Sequence, residues 1–142
     1  LPMKFEAGTQ NFASTATLKP AIEVANKLND NKLVDNLDSI RDYLLDYFRK
    51  DERIRLYGVP RGTNEEKIPL FSFSVKGVHH EDLALILDKM GVAVRSGQMC
   101  AEPLMDRFGV TGMLRVSFAP YNTLEEAEYF VKCLNRAIEM LV

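Results

Sequence analysis

Leu70-Phe71-Ser72-Phe73-Ser74-Val75 alternates apolar and small polar residues over its whole length. That period of two belongs to a β-strand with one buried face, and the phenylalanines suit a pleated, half-buried surface. Pro69 extends the run by one residue, so a strand is expected over 69–75. Upstream, Ile54-Arg55-Leu56-Tyr57 reads as a shorter strand ending at Gly58-Val59-Pro60, with Arg61 to Lys67 as a polar connection. Downstream, the period changes. Leu83, Ile86, Leu87 and Met90 recur at helical spacing from a start near His80 or Glu81, and Gly91 suits the left-handed residue just past a helix end.

Val92 to Arg95 is then expected as a strand, followed by a loop, a helical turn at Pro103 to Phe108, a turn at Gly109 to Gly112 and a strand over Met113 to Phe118. Thr123-Leu124-Glu125-Glu126 places glutamate three residues after threonine, a capping box. It opens a final helix whose apolar positions are Ala127, Phe130, Val131, Leu134, Ile138 and Leu141. Toward the N-terminus, Leu18, Ala21, Ile22, Ala25 and Leu28 share a helical face, with Ser14, Thr15 or Thr17 as N-cap and Pro20 in the first turn. After the break at Asn29-Asp30-Asn31, Leu33, Val34, Leu37, Ile40, Leu44, Leu45 and Phe48 form a second, longer amphipathic helix. The fold class is therefore α+β: a small, mostly antiparallel sheet of three or four strands with helices over one face.

At 142 residues the chain makes one domain, and no repeat or linker divides it. With 27% charged residues and a net charge of -2, it has the balance of an ordinary globular protein and no basic surplus for nucleic acid or an anionic membrane. No apolar run approaches the ~18 residues that span a bilayer, and the first residues lack the zones of a signal peptide, so a cytoplasmic location is expected. The two cysteines, Cys100 and Cys133, are too few for a disulfide framework and wrongly spaced for zinc; free thiols in a reducing compartment fit better, and no metal site is expected. Leu1 is not an initiator methionine, and the chain reads as part of a longer polypeptide.

The candidate chemistry lies in Arg95-Ser96-Gly97-Gln98-Met99-Cys100-Ala101-Glu102-Pro103. A thiol on a glycine-bearing loop, with arginines at 95 and 115, has the exposure and nearby positive charge that favour a nucleophilic thiolate over an inert buried side chain. Cys133, on the apolar face of the last helix, reads as packing. His79 and His80 are adjacent and lack a third ligand, so a role at the helix start is preferred to a metal site. Met90, Met99 and Met105 form no stripe and read as packing.

Five segments together carry a resemblance: Phe5-Glu6-Ala7-Gly8-Thr9-Gln10-Asn11; Gly77-Val78-His79; Leu87-Asp88-Lys89-Met90-Gly91-Val92-Ala93-Val94-Arg95-Ser96-Gly97; Cys100-Ala101-Glu102-Pro103-Leu104-Met105; and Arg115-Val116-Ser117-Phe118-Ala119-Pro120-Tyr121-Asn122-Thr123. In this order they resemble the C-terminal part of cysteine desulfurases of the Suf-type, or group II, branch. These are pyridoxal-phosphate enzymes with the fold of class V aminotransferases (fold type I), and the resemblance extends over essentially the whole chain.

The resemblance implies a homodimeric enzyme that takes sulfur from L-cysteine, releases L-alanine and leaves a persulfide on the loop cysteine. From there the sulfur goes to an acceptor protein for iron–sulfur cluster assembly. By position, Cys100 matches the persulfide-forming nucleophile, Arg115 the arginine that grips the substrate carboxylate, and Arg95 a second arginine near the substrate. Thr9, with Gly8 supplying backbone freedom, matches a cofactor-phosphate contact made to the neighbouring subunit. Two departures stand out. Gln98-Met99 occupies the place where family members commonly carry histidines, so proton transfer by those histidines does not carry over. The sequence also contains no His-Lys pair to supply the cofactor-anchoring lysine; the large cofactor domain is expected outside these 142 residues, and the isolated chain is expected to be inactive. Selenocysteine lyase, and a stand-alone persulfide carrier or interaction module, are the alternative readings.

Overall fold

The computed structural model describes residues 2–5, 7–28, 31–58 and 67–142. In chain order these residues form a 3-10 turn (Pro2–Phe5), α1 (Phe12–Ala16), α2 (Leu18–Leu28), α3 (Asn31–Lys50), β1 (Ile54–Tyr57), β2 (Leu70–Val75), α4 (His80–Lys89), β3 (Arg95–Gly97), α5 (Glu102–Phe108), β4 (Met113–Ser117) and α6 (Leu124–Leu141). The four strands make one sheet in the order β1-β2-β4-β3, and every pairing is antiparallel. The expected α+β class and antiparallel sheet are both present.

The alternation in β2 explains how the layers divide. Phe71, Phe73 and Val75 are buried while Leu70, Ser72 and Ser74 are only partly covered. On the buried side Leu114 and Val116 of β4 join them, and α3, α4 and α6 contribute Ile40, Leu44, Leu45, Phe48, Leu83, Leu87, Phe130, Leu134 and Ile138. Each such side chain taken fully out of water contributes about 1.5–3 kcal/mol. The rings of Phe48, Phe73 and Phe130 meet in tilted and edge-on contacts with centroids 5.0–6.5 Å apart, a geometry that adds to the area buried.

Several helix ends are as expected. Thr123 accepts the Glu126 amide while the Glu126 carboxylate accepts the Thr123 amide, which completes the capping box. Gly91 has φ of +76°, and the Val92 amide donates to the Leu87 carbonyl while the Gly91 amide donates to Asp88, a closure that only a left-handed residue allows cheaply. His79 is the N-cap of α4.

Two expectations need correction, and one short helix was not expected. That helix, α1, is capped by Asn11, whose side chain accepts the Ser14 amide; α2 starts at Leu18, directly after Thr17, whose carbonyl accepts the Ala21 amide. The third strand is Arg95–Gly97 rather than Val92 to Arg95. Its pairing begins only where Arg95 meets Arg115, and Val92 is engaged in closing α4. Finally, helices are not confined to one face of the sheet. α5 folds over one end of it, where Met105 packs with Tyr57, Met113, Phe108 and Val110. Asn29, Asp30 and the connection at 61–66 lie outside the described residues.

Candidate active site around Cys100

Cross-strand register builds the site. Arg95 of β3 pairs with Arg115 of β4, and Arg115 pairs with Ser72 of β2, which in turn pairs with Tyr57 of β1. The row runs across the face opposite the aromatic core, because Ser72 and Arg115 alternate with the buried Phe71, Phe73, Leu114 and Val116. Residues directly opposite in antiparallel strands hold their Cβ atoms about 4.5–5.5 Å apart, and like charges there repel. Among the described residues, neither Arg95 nor Arg115 is ion-paired or hydrogen-bonded through its guanidinium. Two arginines at paired positions, with no acidic partner among the described residues, make a receptor for an anion, and the planar fork of arginine suits a carboxylate best.

The thiol lies on the turn that follows β3, the strand carrying Arg95. β3 ends at Gly97, whose φ of +106° is open to glycine alone at little cost, and the chain then turns back. The Ala101 amide donates to the Gln98 carbonyl at 2.9 Å, with Met99 and Cys100 between them at φ of +57° and +59°. Positive φ at both central residues is the mark of a type I′ turn, normally filled by Asn and Gly. Two ordinary side chains here cost about 1–3 kcal/mol each, and such strain concentrates at functional sites. Its effect is plain: Cys100 stands exposed at the tip of the turn, while Cys133 is buried in α6. α5 starts at Glu102, directly behind the turn, and anchors it through Met105.

Gly8 and Thr9 occupy a different part of the chain. They form an exposed bend before α1, with Gly8 at φ of +101°. Among the described residues no hydrogen bond or ion pair joins this bend to the Cys100 turn. The structure thus pairs Arg95, on the strand that leads into the cysteine turn, with Arg115 on its neighbour, and among the described residues joins neither Gly8 nor Thr9 to them by a hydrogen bond or ion pair. Sequence reasoning did not single out Ser72 and Tyr57 as members of the arginine row. The alternation of β2 assigns Ser72 to the solvent-side face, but only the register sets it beside Arg115. The positive φ of Met99 had no signal in residue type.

The profile of the family described as "Aminotransferase class-V" matches residues 1–130. The chain belongs to the class-V aminotransferase family. A protein of Vibrio cholerae named "Probable cysteine desulfurase" is 38% identical over 141 residues, covering 99% of this chain and 34% of its own length. The cysteine desulfurase CsdA of Escherichia coli is 37% identical, again over 99% of this chain and 34% of the relative. A crystal structure of CsdA in an S-sulfonic acid form superposes with a TM-score of 0.82 at 36% identity, covering 99% of this chain and 34% of that one. This chain therefore spans about a third of the length of the relatives it matches.

Family membership implies pyridoxal phosphate, whose chemistry needs a lysine amine and a cradle for the phosphate. The fit in this chain is partial. The exposed Gly8-Thr9 bend offers backbone amides and a hydroxyl suited to one phosphate contact. None of the four strands contains a lysine, so the face carrying Arg95 and Arg115 has no amine of its own to anchor the ring. What the row can hold is a carboxylate.

Proposed function

We propose that this chain is the cysteine-bearing small domain of a pyridoxal-phosphate-dependent cysteine desulfurase of the Suf-type branch. In this reading Cys100 carries sulfur from L-cysteine as a persulfide for iron–sulfur cluster assembly, and L-alanine is released. The observation that carries the reading is an exposed thiol held out on a strained type I′ turn at the end of β3, whose Arg95 pairs with Arg115, neither arginine having an acidic partner among the described residues. The 38% identity to the Vibrio cholerae protein and 37% to CsdA, each over 99% of the chain, support the same reading.

The substrate carboxylate binds the Arg115 guanidinium through two parallel hydrogen bonds, and Arg95 beside it supplies the second positive charge. Arg115 is half-buried on β4, so its position is set by the sheet; Arg95, on the edge strand, is exposed and free to follow the substrate. The Cys100 thiol loses its proton to solvent, and the thiolate attacks the sulfur of the bound cysteine. An S–S bond forms as the substrate C–S bond breaks. The electron pair left on carbon takes up a proton, giving alanine, and the outer sulfur remains on Cys100. Pyridoxal phosphate, when bound, supplies the electron sink that makes the C–S bond breakable. Thr9 and the Gly8 backbone hold its phosphate in a homodimer. Exposure at the tip of the turn lets an acceptor protein take the sulfur without unfolding the loop, in the cytoplasm where such a thiol stays reduced.

The test uses the intact enzyme. Cys100→Ser abolishes alanine release from L-cysteine while cofactor absorbance is retained, and mass spectrometry of the wild type after one turnover finds one added sulfur on the peptide containing Cys100. An added sulfur on another cysteine, or undiminished turnover in Cys100→Ser, overturns the reading.

A further inference from the structure

The chemistry above makes no use of the histidine pair that opens α4. His79 caps the helix, its Nδ1 accepting the Glu81 amide at 3.4 Å. His80, the first residue of α4, is 9% exposed and is the one buried polar side chain among the described residues. Its Nδ1 is sealed from solvent with no hydrogen-bond partner among the described residues. The ring stacks on His79 with centroids 4.4 Å apart and planes 29° from parallel. It also fills the space above Gly112: a Cβ built there would overlap His80 Nε2 and lie 2.8 and 2.9 Å from Cδ2 and Cε1. With the ring in this position, only glycine fits at 112. Beside the ring is an open pocket of about 290 Å³, lined also by Ser74, Val78 and Thr111.

A charge on this ring would be costly for three independent reasons. Protonation places an N–H at Nδ1 with nothing to accept it, faces a second imidazole across the stack, and adds positive charge at the positive end of the α4 dipole. The neighbours Ser74, Val75 and Val78 on one side, and Gly109, Val110, Thr111 and Gly112 on the other, carry no ionisable group. Among the described residues, only Glu81 and Asp82, on α4 itself, favour the cation. Burial outweighs them, aided by His79, and holds the imidazole below its ordinary range.

The loop pressed by His80 fastens the Cys100 segment at both ends. Gly112 leads into Met113, which pairs with Gly97, the residue that opens the Gln98–Ala101 turn. Gly109 closes α5, which starts just after the turn, and β4 goes on to carry Arg115. We propose that neutral His80 is a positioning residue for the Cys100 turn, a wedge against Gly112 whose protonation releases the turn. The proposal rests on the reading of Cys100 as the sulfur-carrying residue. On protonation the ring swings into the adjoining pocket, where water accepts from both nitrogens, and Gly112 loses its support. Because the folded state disfavours the proton, the stabilising contribution is complete above the ordinary histidine value of about 6.5 and is lost as pH falls below it.

The experiment is a histidine titration of the full chain by NMR, from about pH 8 to about pH 4.5, bracketing the ordinary imidazole range. The His80 ring and the Gly97, Cys100 and Gly112 amides are followed together. The expected result is one shared midpoint below about 6.5. In His80→Phe, which keeps a ring but no nitrogen, those amides stop responding in this window. In His79→Asn, which keeps a capping oxygen and removes the stacked imidazole, the shared midpoint rises. The proposal is overturned if His80 titrates at the ordinary value, if the turn amides keep their midpoint in His80→Phe, or if that midpoint is unmoved in His79→Asn. The His79→Asn result decides alone should His80→Phe fail to fold. Persulfide formation on Cys100 is a separate measurement at neutral pH, so failure here and failure of the desulfurase reading are distinguishable.

Discussion

α2 and α6 are both amphipathic helices, yet they end in opposite circumstances. α6 buries Ala127, Phe130, Cys133, Leu134, Ala137 and Ile138. α2 buries nothing, and Leu18, Ile22 and Val24 on it remain 58%, 51% and 55% exposed. The residues of α2 are as well patterned as those of α6; the difference is in what faces them. α6 lies over Phe73 and the apolar face of β2 and β4, whereas the described residues offer α2 no comparable surface. A helical period states which side of a helix would be buried and says nothing about whether a partner is there.

The contrast can be broken by substitution. Leu134→Ala, at a fully buried position of α6, is expected to cost about 2–5 kcal/mol in denaturant unfolding, since the packed neighbours cannot collapse into the space. A cost under about 1 kcal/mol would show that α6 is not anchored as described. The functional halves differ in the same way. In the intact enzyme, Arg115→Ala is expected to weaken binding of L-cysteine by about 1.5–3 kcal/mol, the scale of losing a charged hydrogen-bonded partner. On the proposed function, Thr9→Ala is expected to leave substrate affinity intact and to weaken cofactor retention. Equal effects on substrate from both variants would erase the distinction between the sheet site and the N-terminal bend.

Thr123→Ala removes the cap at the start of α6 and is expected to lower stability by about 1 kcal/mol. Thr123→Ser restores most of it. A smaller effect concerns the far end of the same helix. The Tyr47 hydroxyl of α3 donates toward Asn135 of α6 at 3.2 Å and toward Asp51 at 3.4 Å. Burial, and then the Asp51 charge, push this phenol up to about 12. The folded state therefore holds the proton more tightly than the unfolded chain, so the contribution is complete below about pH 10 and is lost as pH climbs from there through about 12. Tyr47→Phe flattens that alkaline limb; a limb unchanged in the variant would mean another group causes it. Last comes Ile22→Ala on α2, expected to change stability of this chain by no more than about 0.5 kcal/mol, as for a surface substitution. A loss as large as that of Leu134→Ala would reveal a contact for α2 that the described residues lack.

Much of the fold could be read from the residues because the signals were local. The alternation of Leu70–Val75, the capping box at Thr123 and the glycine after α4 each depend on a few neighbouring residues and came out as expected. The third strand slipped by three residues at its start because strand limits depend on a partner, here Arg115, that lies twenty residues away in the chain. The same holds for the site. A lone cysteine between two arginines was visible as a candidate, but the pairing of Arg95 with Arg115, their lack of acidic partners among the described residues and the left-handed turn at Met99 and Cys100 follow from register and closure.

By itself, then, the sequence determined most of the segments that are helix or strand, which faces seek burial and which thiol is the candidate nucleophile, since these are set by side-chain period, caps and turn chemistry over one or two turns of chain. Only the tertiary structure decided that α6 and not α2 finds a surface, that the arginines meet side by side, and that His80 is wedged against Gly112. Those outcomes depend on contacts between residues far apart in the chain, whose spacing is fixed when the sheet pairs and the helices pack against it.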